Sequence, residues 1–176
     1  MSQAFEICYW WENLSKPGYC VEMVDATRVF ISLNYFFSIY EEEFVIHVQE
    51  YDACFDLRPD LSTIFEDIPV VLKQLTTDTK SQVEFDFFEQ GTAVGTLMER
   101  QGDKITIRFE ITPGSGEKFQ FLPDTGIPVT SDEFIGQWLQ FVRFVLDALV
   151  DLQPDILNDE SYQEYRTRLD IIKSSK

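Results

Sequence analysis

The sequence predicts an α+β fold: a mostly antiparallel sheet of about six to seven strands, with two or three helices packed on one face. Apolar and polar residues alternate through much of the first third and again over residues 83–111, whereas apolar residues recur at helical spacing over residues 61–75 and after residue 130. With 176 residues, of which 44% are hydrophobic and 15% aromatic, the chain suits one domain spanning residues 1–176.

Four strand-like runs precede the first helix. Residues 5–11 and 19–24 flank a polar stretch containing Pro17-Gly18, so they predict a hairpin. Residues 28–37 form a third run. Residues 44–56 form a fourth, with Phe44, Ile46 and Val48 on one face and Val45, His47 and Tyr51 on the other.

The first helix is predicted over residues 61–75. Asp60 occupies the position expected of its N-cap. Pro69 interrupts the pattern, and because proline removes a backbone donor inside a helix, we expect a kink or two short helices there. The apolar positions of this helix are Leu61, Ile64, Phe65, Ile68, Val71, Leu72 and Leu75.

An antiparallel meander follows, with strands at residues 83–87, 93–99 and 105–111 and a turn at Gln101-Gly102-Asp103. Residues 112–130 then carry three prolines and three glycines, which predicts a long loop. Such a loop is often functional or pinned by its own apolar residues. Phe119 and Phe121 in the loop, together with Trp138, are therefore candidates for lining a ligand pocket.

The last third is predicted to be helical. Thr130 and Glu133 fit a capping box, with Thr130 as N-cap of a helix that Pro154 ends. Asn158 or Asp159 caps a final helix, whose apolar side carries Tyr162, Tyr165, Leu169 and Ile172.

The formal net charge of -17 is the outstanding compositional feature. The charge is uneven, since residues 1–90 carry 17 acids and 5 bases while residues 91–176 carry 14 acids and 9 bases. An acidic field repels phosphate backbones and anionic membrane surfaces and attracts basic partners. This pattern argues against binding to nucleic acids or membranes.

Acids are densest over residues 41–67, where nine carboxylates face Arg58 alone. Aromatic side chains beside them are of the types that anchor interfaces. We therefore predict a surface for a basic protein partner, formed by Glu41, Glu42, Glu43, Glu50, Asp52, Asp56, Tyr40, Tyr51 and Trp11. The alternatives are acidity that serves solubility alone, and carboxylates spaced to mimic the phosphates of a nucleic acid.

No catalytic motif accompanies this charge, so the sequence predicts a protein that is not an enzyme and takes no cofactor. His47 is the only histidine, and no nucleophile signature surrounds it. Asp147, Asp151 and Asp155 fall at i, i+4 and i+8, which favours a solvated face with Arg143 paired to Asp147 over a metal site. The competing hypothesis is an enzymatic or small-ligand-binding domain with its pocket near the 112–130 loop.

The three cysteines, Cys8, Cys20 and Cys54, indicate free thiols in a reducing compartment. A signal peptide and an unbroken apolar span are both absent from the sequence, so we expect a cytoplasmic protein.

Residues 57–150 resemble the small acidic immunity-type proteins that accompany bacterial toxins. The resemblance lies in the order of a Leu/Ile-rich helix, the acidic aromatic strand Gln82-Val83-Glu84-Phe85-Asp86-Phe87-Phe88-Glu89, a Gly-Asp turn, the strand Lys104-Ile105-Thr106-Ile107-Arg108-Phe109 and long closing helices. It implies a bacterial binding protein that covers the basic site of a partner. Since these proteins vary in fold, it assigns no functional residue.

Overall fold

The computed structural model describes residues 4–9, 43–56, 60–61, 64–87, 94–112, 119, 122–123 and 125–174. Within these residues the order of elements is β1 Phe5–Tyr9, β2 Glu43–Val48, β3 Tyr51–Asp56, α1 Ile68–Thr77, β4 Gln82–Phe87, β5 Val94–Gln101, β6 Lys104–Ile111, β7 Ile127–Thr130, α2 Ser131–Leu152, a 3-10 helix Pro154–Asn158, and α3 Glu160–Ser174. The α+β class and the antiparallel pairing are as predicted. Among the described residues, however, the strands form two sheets, in the orders β1-β2-β3 and β4-β5-β6-β7, rather than the single sheet predicted.

The three-stranded sheet buries one face and exposes the other. Its core side includes Phe5, Ile7, Phe44, Ile46, Val48, Ala53 and Phe55. The run predicted as one strand over residues 44–56 is a hairpin, because the chain reverses at Gln49-Glu50 and Val48 pairs with Tyr51. Gln49 adopts a left-handed φ of 55° and donates its amide hydrogen to the Ala4 carbonyl, which holds the turn against the end of β1.

The predicted meander is present in the four-stranded sheet, with its tight turn at Gly102, where φ is 67°. The prediction of a loop over residues 112–130 is wrong at its end, since Ile127–Thr130 forms β7 and pairs with β6. Pro128 is compatible with this strand because β7 is the edge strand of the sheet that the described residues form. Gly126 lies so close to β6 that a Cβ atom would be 2.3 Å from Thr106 Cγ2.

Pro69 lies at the start of α1, where its missing amide hydrogen costs no helical hydrogen bond. Asp67 occupies the N-cap position of this helix. Asp60, expected to be the cap, instead accepts a hydrogen bond at Oδ2 from the Asp56 amide, at 2.8 Å. All seven predicted apolar positions from Leu61 to Leu75 are buried.

The long helix α2 begins as predicted, with Thr130 Oγ1 accepting a hydrogen bond from the Glu133 amide at 3.2 Å. Its aromatic residues contact both sheets. Phe134 lies 4.8 Å from Phe5 of the three-stranded sheet, and Trp138 lies 5.3 Å from Phe85 of the four-stranded sheet, as ring centroids. One apolar core therefore joins the two sheets through α2.

The predicted cap of the last helix is confirmed, since Asp159 Oδ1 accepts a hydrogen bond from the Tyr162 amide at 3.0 Å. Its predicted apolar face is also buried, at Tyr162, Tyr165, Leu169 and Ile172. Asp155 falls outside α2, in the 3-10 helix, so the predicted stripe of three aspartates is broken. Asp147 pairs with Arg166 of α3 at 3.2 Å, rather than with Arg143 as predicted.

Candidate functional site

The outward side of the three-stranded sheet concentrates carboxylates. Strand alternation turns Glu6, Glu43, Asp52 and Asp56 away from the core, and Glu50 lies in the exposed turn between β2 and β3. We call these five residues the acidic face. Residues 4–9 and 43–56, which make up this sheet and its turn, contain no lysine or arginine.

His47 lies between two carboxylates in one row across the acidic face. The strand register places Glu6 of β1 opposite His47 and His47 opposite Asp52 of β3. The ring atom His47 Nδ1 lies 2.6 Å from Asp52 Oδ1, with the two side chains 33% and 62% exposed. This contact orients the imidazole along the face, and a protonated ring would offset part of the negative charge.

Two thiols lie in the neighbouring row, where Cys8 is opposite Val45 and Val45 is opposite Cys54. Both cysteines are thiols outside any disulfide and are half-buried. Burial raises the pKa of the Cys8 thiol, and the nearby carboxylates of Glu6 and Asp52 raise it further. The Cys8 side chain therefore lacks the depressed pKa of a nucleophilic cysteine.

The predicted partner-binding residues divide into three groups. Glu43, Glu50, Asp52 and Asp56 are brought together on the acidic face, with Glu43 directly opposite Asp56. Tyr51 belongs to the other side of the sheet, because it pairs with Val48 and packs against the core, so its assignment beside the acids is wrong. Tyr40, Glu41, Glu42 and Trp11 lie outside the described residues.

Two of the three pocket candidates, Phe119 and Trp138, are core residues. Phe119 is buried and lies 5.3 Å from Phe55 as ring centroids, while Trp138 is buried between Phe85, Phe134 and Phe141. Trp138 lines a cavity of only about 10 Å³, and Phe119 does not line it. Phe121 lies outside the described residues. Among the described residues, Trp138 therefore lines a space far smaller than a ligand pocket, and the proposed pocket near the 112–130 loop stays a prediction.

An open groove of about 530 Å³ lies between the end of α2, the 3-10 helix and α3. Asp147, Asp151 and Asp170 lie along it, with Arg166 paired to Asp147. Its apolar residues are Val150 and Leu157. This groove includes none of the residues predicted for partner binding or for the pocket.

Across the described ranges, no group of three or more His, Cys, Asp or Glu side chains is arranged to hold a metal ion. None of the helices in the same ranges has the length and apolar character needed to cross a bilayer.

Glu6 is the member of the acidic face that the sequence analysis missed. A signal was present, since Glu6 stands between Phe5 and Ile7, whose side chains are buried. Strand alternation alone therefore turns Glu6 outward. Its place beside His47 depends on the pairing of β1 with β2, which joins residues more than thirty positions apart.

Any assignment of function rests on this geometry, because the comparisons with known proteins found no match. No protein-family model matches the chain, and no curated protein or solved structure is significantly similar to it.

Proposed function

We propose that this protein is a non-enzymatic binding protein whose acidic face engages a basic protein partner, in the manner of an immunity or inhibitor protein in the bacterial cytoplasm. The observation that carries the proposal is the charge of the three-stranded sheet. Its described strands and turn hold five carboxylates and no lysine or arginine. Opposite charge across an interface speeds association and selects partners.

The four-stranded sheet differs in a way that supports this choice of face. Its outward side mixes signs, with Lys104 and Arg108 among the carboxylates and Arg108 lying 3.7 Å from Glu99. Uniform acidity for solubility alone would not distinguish the two sheets. We further propose that the three helices lie on the side opposite the acidic face, which leaves that face available to a partner.

The buried pocket candidates also favour a binding role over catalysis. Trp138 and Phe119 fill the core, and the raised pKa of Cys8 opposes a thiolate nucleophile beside His47. A phosphate-mimicking role remains a prediction. The acidic face offers only two rows of two carboxylates, Glu6 with Asp52 and Glu43 with Asp56.

The proposal is tested with two variants that each remove four negative charges. The face variant combines Glu6→Gln, Glu43→Gln, Asp52→Asn and Asp56→Asn. The control variant removes the same charge from exposed positions on other elements, with Glu84→Gln, Asp103→Asn, Asp155→Asn and Glu160→Gln. Each immobilised protein captures material from a bacterial lysate at low salt, and the captured species is purified and titrated against all three proteins.

We expect the face variant to bind at least about tenfold more weakly than the unmodified protein, with a shallower dependence of Kd on salt, because local charge pairs are lost. The control variant should bind within about twofold of the unmodified protein. Equal losses in the two variants would show that bulk charge alone matters and would reject the acidic face as the binding surface.

A further inference from the structure

A small cavity lies where the two sheets meet α2. Its lining includes Phe5 and Ile46 from the three-stranded sheet, Phe85 and Thr96 from the four-stranded sheet, and Trp138 from α2. Every residue of the lining is buried, so the space lies within the core. The volume is about 10 Å³.

Two polar atoms of this lining have no hydrogen-bond partner in the described part of the chain. Thr96 Oγ1 and Trp138 Nε1 are fully buried, and their side chains are 5% and 1% exposed. Buried polar groups in proteins are nearly always hydrogen-bonded, to protein or to an ordered water, because an unmade bond costs the full desolvation of the group. The pair therefore requires a third participant.

The aromatic neighbours of the two atoms cannot supply it, and the thioether of Met98, which also lines the cavity, is only a weak acceptor. Thr96 stands in one row with Phe85 of β4 and Phe109 of β6, so its neighbours across the sheet are both aromatic hydrocarbons. The indole of Trp138 packs against Phe85, Phe134 and Phe141, which also offer no acceptor.

We propose that one water molecule occupies this cavity and bridges Trp138 Nε1 and Thr96 Oγ1. The indole N–H only donates, whereas the threonine hydroxyl both donates and accepts. A water can accept from the indole and complete its second bond with the hydroxyl in either direction. The volume is at the lower limit of what one water needs, and two partners are the smallest usual number. A larger ligand does not fit.

This water joins β5 to α2 at the point where the four-stranded sheet meets the core helix. The site is independent of the acidic face, since its residues all point into the core. Failure of the water proposal would therefore leave the binding proposal unaffected.

The direct test is nuclear magnetic resonance on protein labelled with ¹⁵N at the tryptophan indoles. The Trp138 resonance is assigned by its disappearance in Trp138→Phe. We expect cross-relaxation between the Trp138 Nε1 hydrogen and a long-lived water in the unmodified protein, and its loss in Thr96→Val. Thr96→Ser is the matched control, because it keeps the hydroxyl and should keep the cross-peak.

The second measurement is the sign of the stability change in Thr96→Val. If a water bridges the two atoms, removal of the hydroxyl leaves Trp138 unpaired, and the unfolding equilibrium constant should rise about tenfold or more. If the cavity is dry, valine removes an unsatisfied hydroxyl and the constant should fall. A missing cross-peak in the unmodified protein, a cross-peak that survives in Thr96→Val, or stabilisation by valine would each overturn the proposal.

Discussion

Tyr165 connects the last helix, α3, to the turn that precedes α1. Its ring stacks on Phe65 with centroids 5.0 Å apart and planes 9° from parallel, and its hydroxyl donates to the Phe65 carbonyl at 2.7 Å. Burial raises the pKa of Tyr165 well above its ordinary value, and the carboxylate of Glu66 adds to the effect. Burial therefore keeps the hydroxyl protonated in the folded protein above the pKa of a free tyrosine.

We expect this raised pKa to govern stability in alkali. Below pH about 10 the hydroxyl is protonated in both states and its contribution is complete. Above that pH the unfolded chain loses the proton while the folded chain keeps it, so the free energy of unfolding falls by about 1.4 kcal/mol per pH unit for such a group. Urea denaturation from pH 8 to pH 11 measures the slope.

Tyr165→Phe is the matched variant. It should lose about 1–2 kcal/mol at neutral pH, because the Phe65 carbonyl loses its donor, and it should show a shallower decline in alkali. The pKa values of Tyr9 and Tyr162 are also raised, so part of the slope remains. An alkaline slope as steep as that of the unmodified protein would contradict the assignment to Tyr165.

Residue-level patterns in the sequence predicted the helix ends better than the turns. Thr130 and Asp159 act as caps because a side-chain oxygen beside a run of helical spacing satisfies local amides. The turn at Gln49-Glu50 carried no such signal, since neither residue is glycine, asparagine or aspartate. Gln49 takes a left-handed conformation because the pairing of β2 with β3 and the bond to Ala4 impose it.

At the scale of elements, Arg100 connects α1 to the hairpin of β5 and β6 through hydrogen bonds. Its guanidinium donates to the Leu75 carbonyl in the last turn of α1 and, through Nε, to the Gly102 carbonyl at 2.8 Å. Its backbone amide donates to the Ser81 carbonyl at 2.8 Å. A cation at the C-terminal end of a helix also complements the helix dipole.

Arg100→Met should therefore lower the free energy of unfolding by about 1.5–3 kcal/mol, since the carbonyls of α1 and of the turn lose a charged donor. Lys104→Met is the control, because it removes an equal charge from an exposed position directly after the same turn. Urea denaturation with an unchanged m-value measures both. Similar losses in the two variants would show that charge, and not the hydrogen bonds of Arg100, is responsible.

The alternation of apolar and polar residues and the helical spacing of apolar residues predicted most of the described strands and helices. They did not predict which strands pair with which. Within the run over residues 44–56, Phe44, Ile46 and Val48 share one face, as predicted, and that face is buried. The division into two sheets follows from contacts between distant residues, such as β1 with β2, and no local pattern encodes them. β7 escaped prediction because Gly126 and Pro128 are loop signals, whereas an edge strand tolerates both.

At the scale of the whole molecule, the net charge of -17 favours self-repulsion in the folded state. Salt shortens the range of that repulsion, since the Debye length falls from about 30 Å at 0.01 M to about 8 Å at 0.15 M. We therefore expect sodium chloride over this range to stabilise the fold by about 1 kcal/mol, or to raise Tm by about 2–4 °C. Scanning calorimetry measures the shift.

The variant with four neutralised residues on the acidic face should show a smaller salt effect than the unmodified protein, because part of the repulsion is gone. A Tm that is constant or falls with sodium chloride would mean that attractive ion pairs outweigh the repulsion.

Composition predicted the acidity and its concentration toward the first half of the chain, and the structure places five of those carboxylates on one sheet. The contribution of Glu6 and the inward position of Tyr51 depend on strand register, which composition does not encode. The core role of Phe119 and Trp138 likewise depends on which rings meet in space. Their chemistry alone would equally suit a pocket.

The edge of the four-stranded sheet at β7 has a consequence for how this protein associates with others. An exposed edge strand normally offers free amides and carbonyls that recruit further strands and promote aggregation. Pro128 has no amide hydrogen to offer, and its carbonyl accepts a hydrogen bond from the Gln49 side chain at 3.0 Å. This edge is therefore a poor template for strand addition, and an extended segment of another protein would gain few main-chain bonds by docking along it.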